Sequence, residues 1–265
     1  MNKIKIVNDE FIVIEEDSKI EYSYLLKNNE YSVNSLKLKV KEDTDLELDI
    51  NVNESNKLDI YINVLKGVKL NINEYLSGND LKVQYKYYLE EDSAVNVKKI
   101  NNINSLKEYD VFNLNGEGAK VKRVLKTISS DKQKYDMLVY HNAKETSSDL
   151  INHGVNIESG ELIFNVSSFV PKDISNCFVN QSNRIINLTD GNCVINPNMY
   201  IDCFDVNANH SAFIGIFSDE ELFYLQSRGI DKETATKLLI RGFLTSDLNE
   251  ILKDKYNDII DKYWR

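Results

Sequence analysis

Hydrophobic and polar residues alternate one by one along most of the chain up to Phe217. Apolar side chains take every second position in four successive segments: Leu36, Leu38 and Val40; Leu46, Leu48, Ile50 and Val52; Ile60, Ile62 and Val64; and Val68, Leu70 and Ile72. A β-strand turns successive side chains to opposite faces, so each segment predicts a strand with one buried and one wet face. The segments start at residues 36, 46, 58 and 68, a spacing typical of short strands joined by tight turns.

Two architectures produce this pattern: a sandwich or barrel, and a β-solenoid whose coils stack in parallel. The chain has only ten glycines and two prolines, which a sandwich normally uses in its turns. We expect Asn and Asp to make the turns instead, as in Ser77–Asp80, because their side chains hydrogen-bond the local backbone. The scarcity of glycine and proline favours the solenoid.

After Phe217 the pattern becomes helical, which divides the chain into a β body over residues 1–217 and a small helical domain over residues 218–265. Ser218 and Glu221 have the spacing of a capping box, in which each side chain accepts a hydrogen bond from a backbone amide of the first turn. This first helix is predicted to end at Gly229, since glycine tolerates the left-handed conformation that follows a helix.

Two further helices are predicted in the C-terminal region. Asp231 is placed to cap the second, which should end near Gly242, and Asp247 with Glu250 should open the third. Apolar residues of the third helix recur at three- and four-residue spacing, at positions 248, 251, 252, 256, 259, 260, 263 and 264. That stripe fits either packing within the chain or binding to a partner.

Charge and composition exclude several classes of protein. Acidic residues outnumber basic ones by 42 to 32, so a body with a formal charge of −10 is not expected to bind nucleic acid. No apolar run approaches the roughly 18 residues that a membrane span needs. Asp9 and Glu10 come too early for a secretory signal, and three cysteines do not make a disulfide framework. We therefore expect a cytoplasmic protein that is not bound to membranes.

Few of the familiar catalytic motifs are present. The sequence lacks a Walker A loop, a G-x-G-x-x-G, an H-E-x-x-H and a G-x-S-x-G. His141 and His153 are expected to have structural hydrogen-bonding roles. Cys193, Cys203 and His210 follow one another closely in the sequence and could form a metal or cluster site. The alternative is two core cysteines and a polar histidine, which the absence of a C-x-x-C pair favours.

Five segments, in order along the chain, resemble motifs of the SufB/SufD family of scaffold proteins in SUF iron–sulfur cluster assembly. The strongest is the run from Leu222 to Ile230, similar to the C-terminal signature of that family. The others are His141–Thr146, Ile151–Val155, Gln181–Arg184 with Leu188–Asp190, and Asn209–Ala212. The resemblance covers residues from about 141 to 245, roughly 40% of the chain.

This resemblance implies a right-handed parallel β-helix followed by a small helical domain. It implies a non-catalytic scaffold that docks SufC, an ABC-type ATPase, through the C-terminal helices. The residues of the family signature at which we expect the ATPase to bind are Leu222, Phe223, Tyr224, Arg228 and Gly229. Subunits of the family pair through their β-helices, and a transient iron–sulfur cluster, shared with the partner subunit, forms near that junction.

Within the family the chain is more similar to SufD than to SufB. Arg184 stands where SufB carries a cluster-related cysteine, and Ser211 stands where SufB carries a glutamate. The SufD-type histidine is present as His210, and Cys193 and Cys203 fall where SufB-like sequences also tend to carry cysteine. A homodimer would lack the cysteine on both sides, so we expect a heteromer with a SufB-like subunit.

The chain is shorter than a typical SufD, and no N-terminal helical domain is recognised in it. The alternative to a scaffold is a cytosolic β-solenoid enzyme acting on a small molecule or a saccharide.

Overall fold

The computed structural model describes residues 2–8, 10–15, 18–26, 33–53 and 56–264, which form fifteen strands and three helices. The strands are β1 (Asn2–Val7), β2 (Glu10–Glu15), β3 (Ile20–Leu25), β4 (Asn34–Val40), β5 (Thr44–Val52), β6 (Asn56–Val64), β7 (Lys69–Leu89), β8 (Ala94–Leu114), β9 (Lys120–Ser129), β10 (Lys132–His141), β11 (Ser147–Asn156), β12 (Glu161–Val170), β13 (Cys177–Asn187), β14 (Cys193–Ile201) and β15 (Val206–Gly215). The helices are α1 (Asp219–Gln226), α2 (Lys232–Thr245) and α3 (Glu250–Tyr263).

Apart from β2 and β3, the strands stack in parallel as a β-solenoid of about seven turns, which confirms the predicted β-solenoid. Lys69 pairs with Ala94, and Ala94 pairs with Lys120, so these three residues hold the same place in three successive coils. The first sheet runs β1-β5-β7-β8-β9-β11-β13-β15, and the second runs β4-β6-β7-β8-β10-β12-β14. Inward positions of both sheets are apolar and meet in one core between them.

The strands β7 and β8 belong to both sheets, because each is 21 residues long and bends from one sheet into the other. In β7 the bend lies at Gly78, whose φ is +132°. A Cβ atom there would lie 1.8 Å from the carbonyl oxygen of Val52 in the coil before. The predicted turn at Ser77–Asp80 is therefore wrong: both ends of that segment stay paired to β8, and the strand continues through it.

Asparagine side chains form ladders along the outer faces of the solenoid. The Asn71 amide donates to Asp45 Oδ1 at 2.8 Å, and the Asn96 amide donates to Asn71 Oδ1 at 2.9 Å. Many asparagine side chains thus hold successive coils together instead of making turns. The turn expectation is confirmed at Asp92 and Asn176, which adopt left-handed φ values of 53° and 57° at corners of the solenoid.

A cluster of five charged residues lies inside the solenoid, where each side chain is at most 3% exposed. Lys99 Nζ lies 2.9 Å from Glu74 Oε1 and 2.7 Å from Glu108 Oε2. Arg123 lies 2.6 Å from Glu108 Oε1 through Nη2 and 2.9 Å from Asp110 Oδ2 through Nε. Pairing on this scale offsets the cost of removing charge from water.

The helices begin largely as predicted. Ser218 and Glu221 form the capping box of α1, and Asp231 caps α2. The predicted end of α2 near Gly242 is wrong, because the helix continues to Thr245 and buries Leu244.

The start of the third helix is also corrected. The cap of α3 is Asn249, whose side chain accepts a hydrogen bond from Leu252 N. Asp247 cannot play that part because its φ of 65° is left-handed, whereas a capping residue is extended.

All three helices follow the last strand, and α2 and α3 pack against the outer face of the first sheet. Most residues of the apolar stripe of α3 are buried in this contact, so the stripe serves packing within the chain. The shared cluster joins Ile100, Ile128, Val155 and Ile186 of the sheet to Ile240, Leu244, Leu248, Leu252, Tyr256, Ile259 and Ile260. Among the described residues, no helix has the length and apolar character required to cross a membrane.

Candidate functional site

The two ends of the solenoid differ. At the N-terminal end β2 and β3 run antiparallel to their neighbours β1 and β4. At the C-terminal end, within the described residues, β14 pairs only with β12 and β15 only with β13. Each of these last two strands therefore leaves one row of backbone N–H and C=O groups without a strand partner. We call β14 and β15 the open edge.

His210 lies in the middle of β15, at this open edge. Its register partner is Gln181, a buried side chain whose amide donates to Ser168 Oγ at 2.9 Å and to the Asn198 carbonyl at 3.1 Å. In-register residues of parallel strands point the same way, so His210 occupies an inward position. It is nevertheless exposed, because no further coil covers it.

The two candidate cysteines lie at opposite ends of β14. Cys193 is the first residue of this strand, and Cys203 lies two residues after its last residue, Ile201, in the turn before β15. With a rise of about 3.3 Å per residue, the strand separates them by roughly 25 Å. They cannot hold one metal ion together, and the described residues contain no group of three or more His, Cys, Asp or Glu side chains arranged to bind one.

The surroundings of the cysteines are largely apolar. Cys193 packs against the main core, and burial raises the pKa of its thiol to about 11, against a weaker opposite effect of Asn156. It is therefore a neutral thiol near pH 7, not a thiolate ready to bind metal. Cys203 packs beside Val170 and Val179 in a small apolar cluster at the other end of the strand.

His141 has the structural role predicted for it. Its Nδ1 lies 2.8 Å from Thr146 Oγ1, and its Nε2 lies 3.0 Å from Ser148 Oγ. Burial lowers the pKa of His141 to about 4, so the ring is neutral and exchanges hydrogen bonds with both hydroxyls.

The predicted ATPase-binding residues lie on or just after α1, a helix that buries none of its residues. Phe223 and Tyr224 are 70% and 56% exposed, and Leu222 is half-buried. Arg228 lies over the Tyr224 ring at 4.5 Å, and Gly229 follows with a left-handed φ of 83°. Two aromatic side chains of α1, the helix that follows β15 in the chain, are thus exposed to solvent.

A junction of polar and aromatic groups connects α2 to the first sheet. Lys126 Nζ lies 2.7 Å from His153 Nδ1, 3.0 Å from Ser246 Oγ and 3.4 Å from the Phe243 carbonyl oxygen. The His153 ring is stacked on that of Phe243 with centroids 4.5 Å apart. The structural role predicted for His153 is confirmed, whereas the other members of this junction were not predicted.

Protonation at this junction follows from burial. Burial lowers the pKa of Lys126 to about 8, while Asp247 partly opposes that shift. Burial and the Lys126 charge lower the pKa of His153 to about 4. At pH 7 an ammonium therefore donates to a neutral imidazole and to the carbonyl oxygen near the end of α2.

The junction is continued by Arg184. Its guanidinium lies 5.2 Å from the ring centre of Phe243 on α2 and 5.0 Å from that of Phe213 on β15. Strand register pairs Lys126 with His153, His153 with Arg184, and Arg184 with Phe213, so the four form one column across successive coils. To predict this grouping from the sequence, one would have to know how many residues each coil contains. The first four predicted strands do not reveal that number.

Comparison with known protein families agrees with this architecture. The sequence family described as SUF system FeS cluster assembly, SufBD core domain, matches residues 5–243. The chain belongs to the SufBD family. The match includes the whole open edge and α1, and it ends inside α2.

The chain is SufD-like, because the curated relatives that it matches include SufD proteins. It is 29% identical over 194 residues to the iron–sulfur cluster assembly protein SufD of Bacillus subtilis, a match that covers 71% of this chain and 42% of the relative. It is 39% identical over 59 residues to SufD of Escherichia coli, covering 22% of this chain and 14% of the relative. A SufBD family protein of Mycobacterium leprae is 46% identical over 56 residues, or 21% of this chain and 14% of that protein. The matched part thus spans less than half the length of each of these relatives.

Proposed function

We propose that this protein is a non-catalytic scaffold subunit of a SUF-type iron–sulfur cluster assembly complex in the cytoplasm. In this proposal α1 docks a SufC-like ABC-type ATPase, the open edge pairs with a SufB-like subunit, and a cluster forms transiently near His210. Family membership supports the assembly role and speaks against the alternative of a solenoid enzyme acting on a small molecule or saccharide. The cluster is the cargo of the complex.

The exposure of Phe223 and Tyr224 on α1 is the observation that carries the docking proposal. A helix of a monomeric protein normally buries its apolar residues, whereas Phe223 and Tyr224 face solvent here. Aromatic residues of this kind are enriched among those that dominate binding energy. Residues 218–265 would then be an ATPase-docking domain that is anchored to the solenoid by α2 and α3.

The composition of the open edge supports pairing with a second solenoid. Charged residues make up 28% of the chain, yet β14 and β15 contain no Asp, Glu, Lys or Arg. Soluble proteins usually protect a free strand edge with such charges. We infer that a partner subunit covers this edge, and the absence of a cysteine at Arg184 favours a SufB-like subunit over a second copy.

His210 is the candidate for contact with the cluster. It is the single side chain of β14 and β15 with a basic nitrogen, and it is exposed where the partner would sit. A neutral imidazole can bind iron or carry a proton. Cys203 is a second candidate at this end of the solenoid, and Cys193 is disfavoured by the raised pKa of its thiol.

The test of docking is co-expression of the full chain with a SufC-type ATPase, followed by size-exclusion chromatography and a binding titration. We expect a complex with the wild-type chain. Replacing Phe223 and Tyr224 together by Ala should weaken binding by about 2 kcal/mol or more, roughly thirty-fold, as loss of aromatic anchors does.

Tyr109→Ala is the matched control, because Tyr109 is also an exposed aromatic but lies on the outer face of the solenoid. It should bind the ATPase like the wild type. Absence of binding by the wild-type chain, or equal binding by the double variant, would contradict docking through α1.

A further inference from the structure

One side chain joins the helices to the open edge. The Arg184 guanidinium lies between two rings, with Phe243 of α2 at 5.2 Å and Phe213 of β15 at 5.0 Å. A planar guanidinium stacks on aromatic faces, which an ammonium does less well. Among the described residues Arg184 forms no ion pair with a carboxylate, so these two ring faces hold its guanidinium.

The α2 end of this stack is firmly held. Phe243 has the His153 ring parallel to its own, at an angle of 16°, and Phe217 against its edge with centroids 6.4 Å apart. Its carbonyl oxygen accepts a hydrogen bond from Lys126, which is fully buried. Phe243 therefore moves as part of α2 and not as a loose surface ring.

The β15 end is held more weakly. Phe213 is 45% exposed, and its strand is paired on one side. His210 lies three residues before Phe213 on this strand. A displacement of α2 would press first on Arg184 and then on the least restrained strand of the solenoid.

We propose that Arg184 is a positioning residue that couples the docking helices to the strand carrying His210, through the Phe243–Arg184–Phe213 stack. The inference rests on the proposed function, since it requires an ATPase that moves the helices. The backbone link from β15 to α1 through residues 216–218 is a second connection between the same parts. The stack adds an indirect connection between α2 and β15 through the Arg184 side chain on β13, so that α1 and α2 act on the strand together.

Hydrogen–deuterium exchange of the assembled complex tests this coupling. The full chain bound to the ATPase is compared in ADP and in a non-hydrolysable ATP analogue, and exchange is followed in peptides covering residues 206–215. In the wild type we expect exchange in β15 to differ between the nucleotides. In Arg184→Lys, which keeps the charge but loses the planar stack, most of that difference should disappear.

Arg241→Lys is the matched control, because Arg241 forms an ion pair with Asp261 at 2.6 Å and so joins α2 to α3. It should keep the wild-type nucleotide response. Phe213→Leu removes the ring at the other end of the stack and serves if Arg184→Lys does not fold. It should likewise lose the response in β15.

The outcomes separate the two proposals. If the ATPase binds but β15 shows no nucleotide response in the wild type, the coupling is wrong and docking stands. If Arg184→Lys raises exchange equally in both nucleotides and keeps the difference between them, Arg184 is a structural contact only, and the coupling is again wrong. If the wild-type chain does not bind the ATPase, the proposed function is wrong, and this inference, which rests on it, is wrong as well.

Discussion

The buried charges inside the solenoid do not balance when all of them are ionised. Glu74, Glu108 and Asp110 face Lys99 and Arg123, so three carboxylates meet two cations. Burial opposes every charge, but both cations lie against Glu108 and hold its pKa below the usual value. Burial raises the pKa of Asp110 to about 7, with Glu108 and Glu74 adding to the rise against Arg123 and Lys99. Asp110 is the residue that takes up the surplus proton.

We expect Asp110→Asn to change how stability depends on pH. The folded state keeps the Asp110 proton up to about pH 7, whereas the ordinary pKa is 3.8. The contribution of this group is therefore complete below about pH 4 and is lost as the pH rises to 7. Because Asn cannot ionise, the stability of the variant relative to wild type should increase by about 1 to 3 kcal/mol between pH 5 and pH 8.

Urea unfolding of both proteins at the two pH values measures this difference. Glu108→Gln is the contrasting variant, since it breaks contacts to both Lys99 and Arg123. It should lose about 3 to 5 kcal/mol at pH 5 and less at pH 8, because without the Glu108 charge Asp110 ionises more easily beside Arg123. A difference between Asp110→Asn and wild type that stays constant from pH 5 to pH 8 would show that Asp110 is already ionised at pH 5.

At the scale of single residues, the sequence predicts contacts within a local motif better than contacts between residues of different coils. The hydrogen-bonding role of His141 followed from a local polar segment, and its partners Thr146 and Ser148 are close in sequence. Arg123 reaches Asn152, and Lys126 reaches Ser246, 120 positions away. Such contacts depend on how many residues each coil takes, which alternation alone does not reveal.

At the scale of elements, local signals predicted where helices begin better than where they end. The capping box of α1 and the Asp231 cap of α2 need only neighbouring residues and are correctly predicted. The end of α2 and the start of α3 depend on tertiary packing. Leu244 and Leu248 are buried against the sheet, and that contact carries α2 beyond Gly242.

The bend of β7 also depends on tertiary contacts, and it gives a specific prediction. Gly78→Ala would place a methyl group 1.8 Å from the Val52 carbonyl oxygen, at a φ that side chains rarely adopt. Neither backbone segment can move without breaking the ladder between β5 and β7. We expect a loss of about 3 kcal/mol or more in the free energy of unfolding.

Gly67→Ala is its control, because Gly67 also has a positive φ, of 72°, but the space around it is open. It should cost about 1 kcal/mol. Thermal and urea unfolding of the two variants compare these values. Equal losses would mean that strain in φ, and not the approach of Val52, makes glycine necessary at the bend.

At the scale of the whole molecule, period-two alternation and scarce glycine and proline were enough to favour a solenoid with terminal helices. The difference between its ends could not be predicted in this way. It depends on which strands have neighbours, and β14 has apolar residues at alternate positions, Ile195, Pro197, Met199 and Ile201, much like an interior strand, although none of them is buried. The lack of charge in β14 and β15 becomes informative only when they are known to be the last coil.

The role proposed for His210 belongs to this scale, because it requires both subunits. After anaerobic reconstitution of the assembled complex with ferrous iron and sulfide, we expect His210→Ala to retain iron about tenfold more weakly, a size typical of a disturbed metal site. Asn209→Ala is the matched control, since Asn209 is also exposed on β15 but contacts Asn207. Iron retention unchanged in His210→Ala would exclude this histidine from the cluster site.

The unlike ends of the solenoid limit how many copies can join. β2 and β3 are only six residues long, run antiparallel to their neighbours and carry acidic residues such as Glu10 and Glu21. A surface of that kind is a poor template for the long uncharged strands at the other end. In the proposed pairing with a SufB-like subunit, each solenoid would use its own C-terminal end, and the exposed strand edges of both would be covered. If the proposed pairing holds, it would end at two solenoids, because the uncharged strands of one subunit would find no matching surface in β2 and β3 of another.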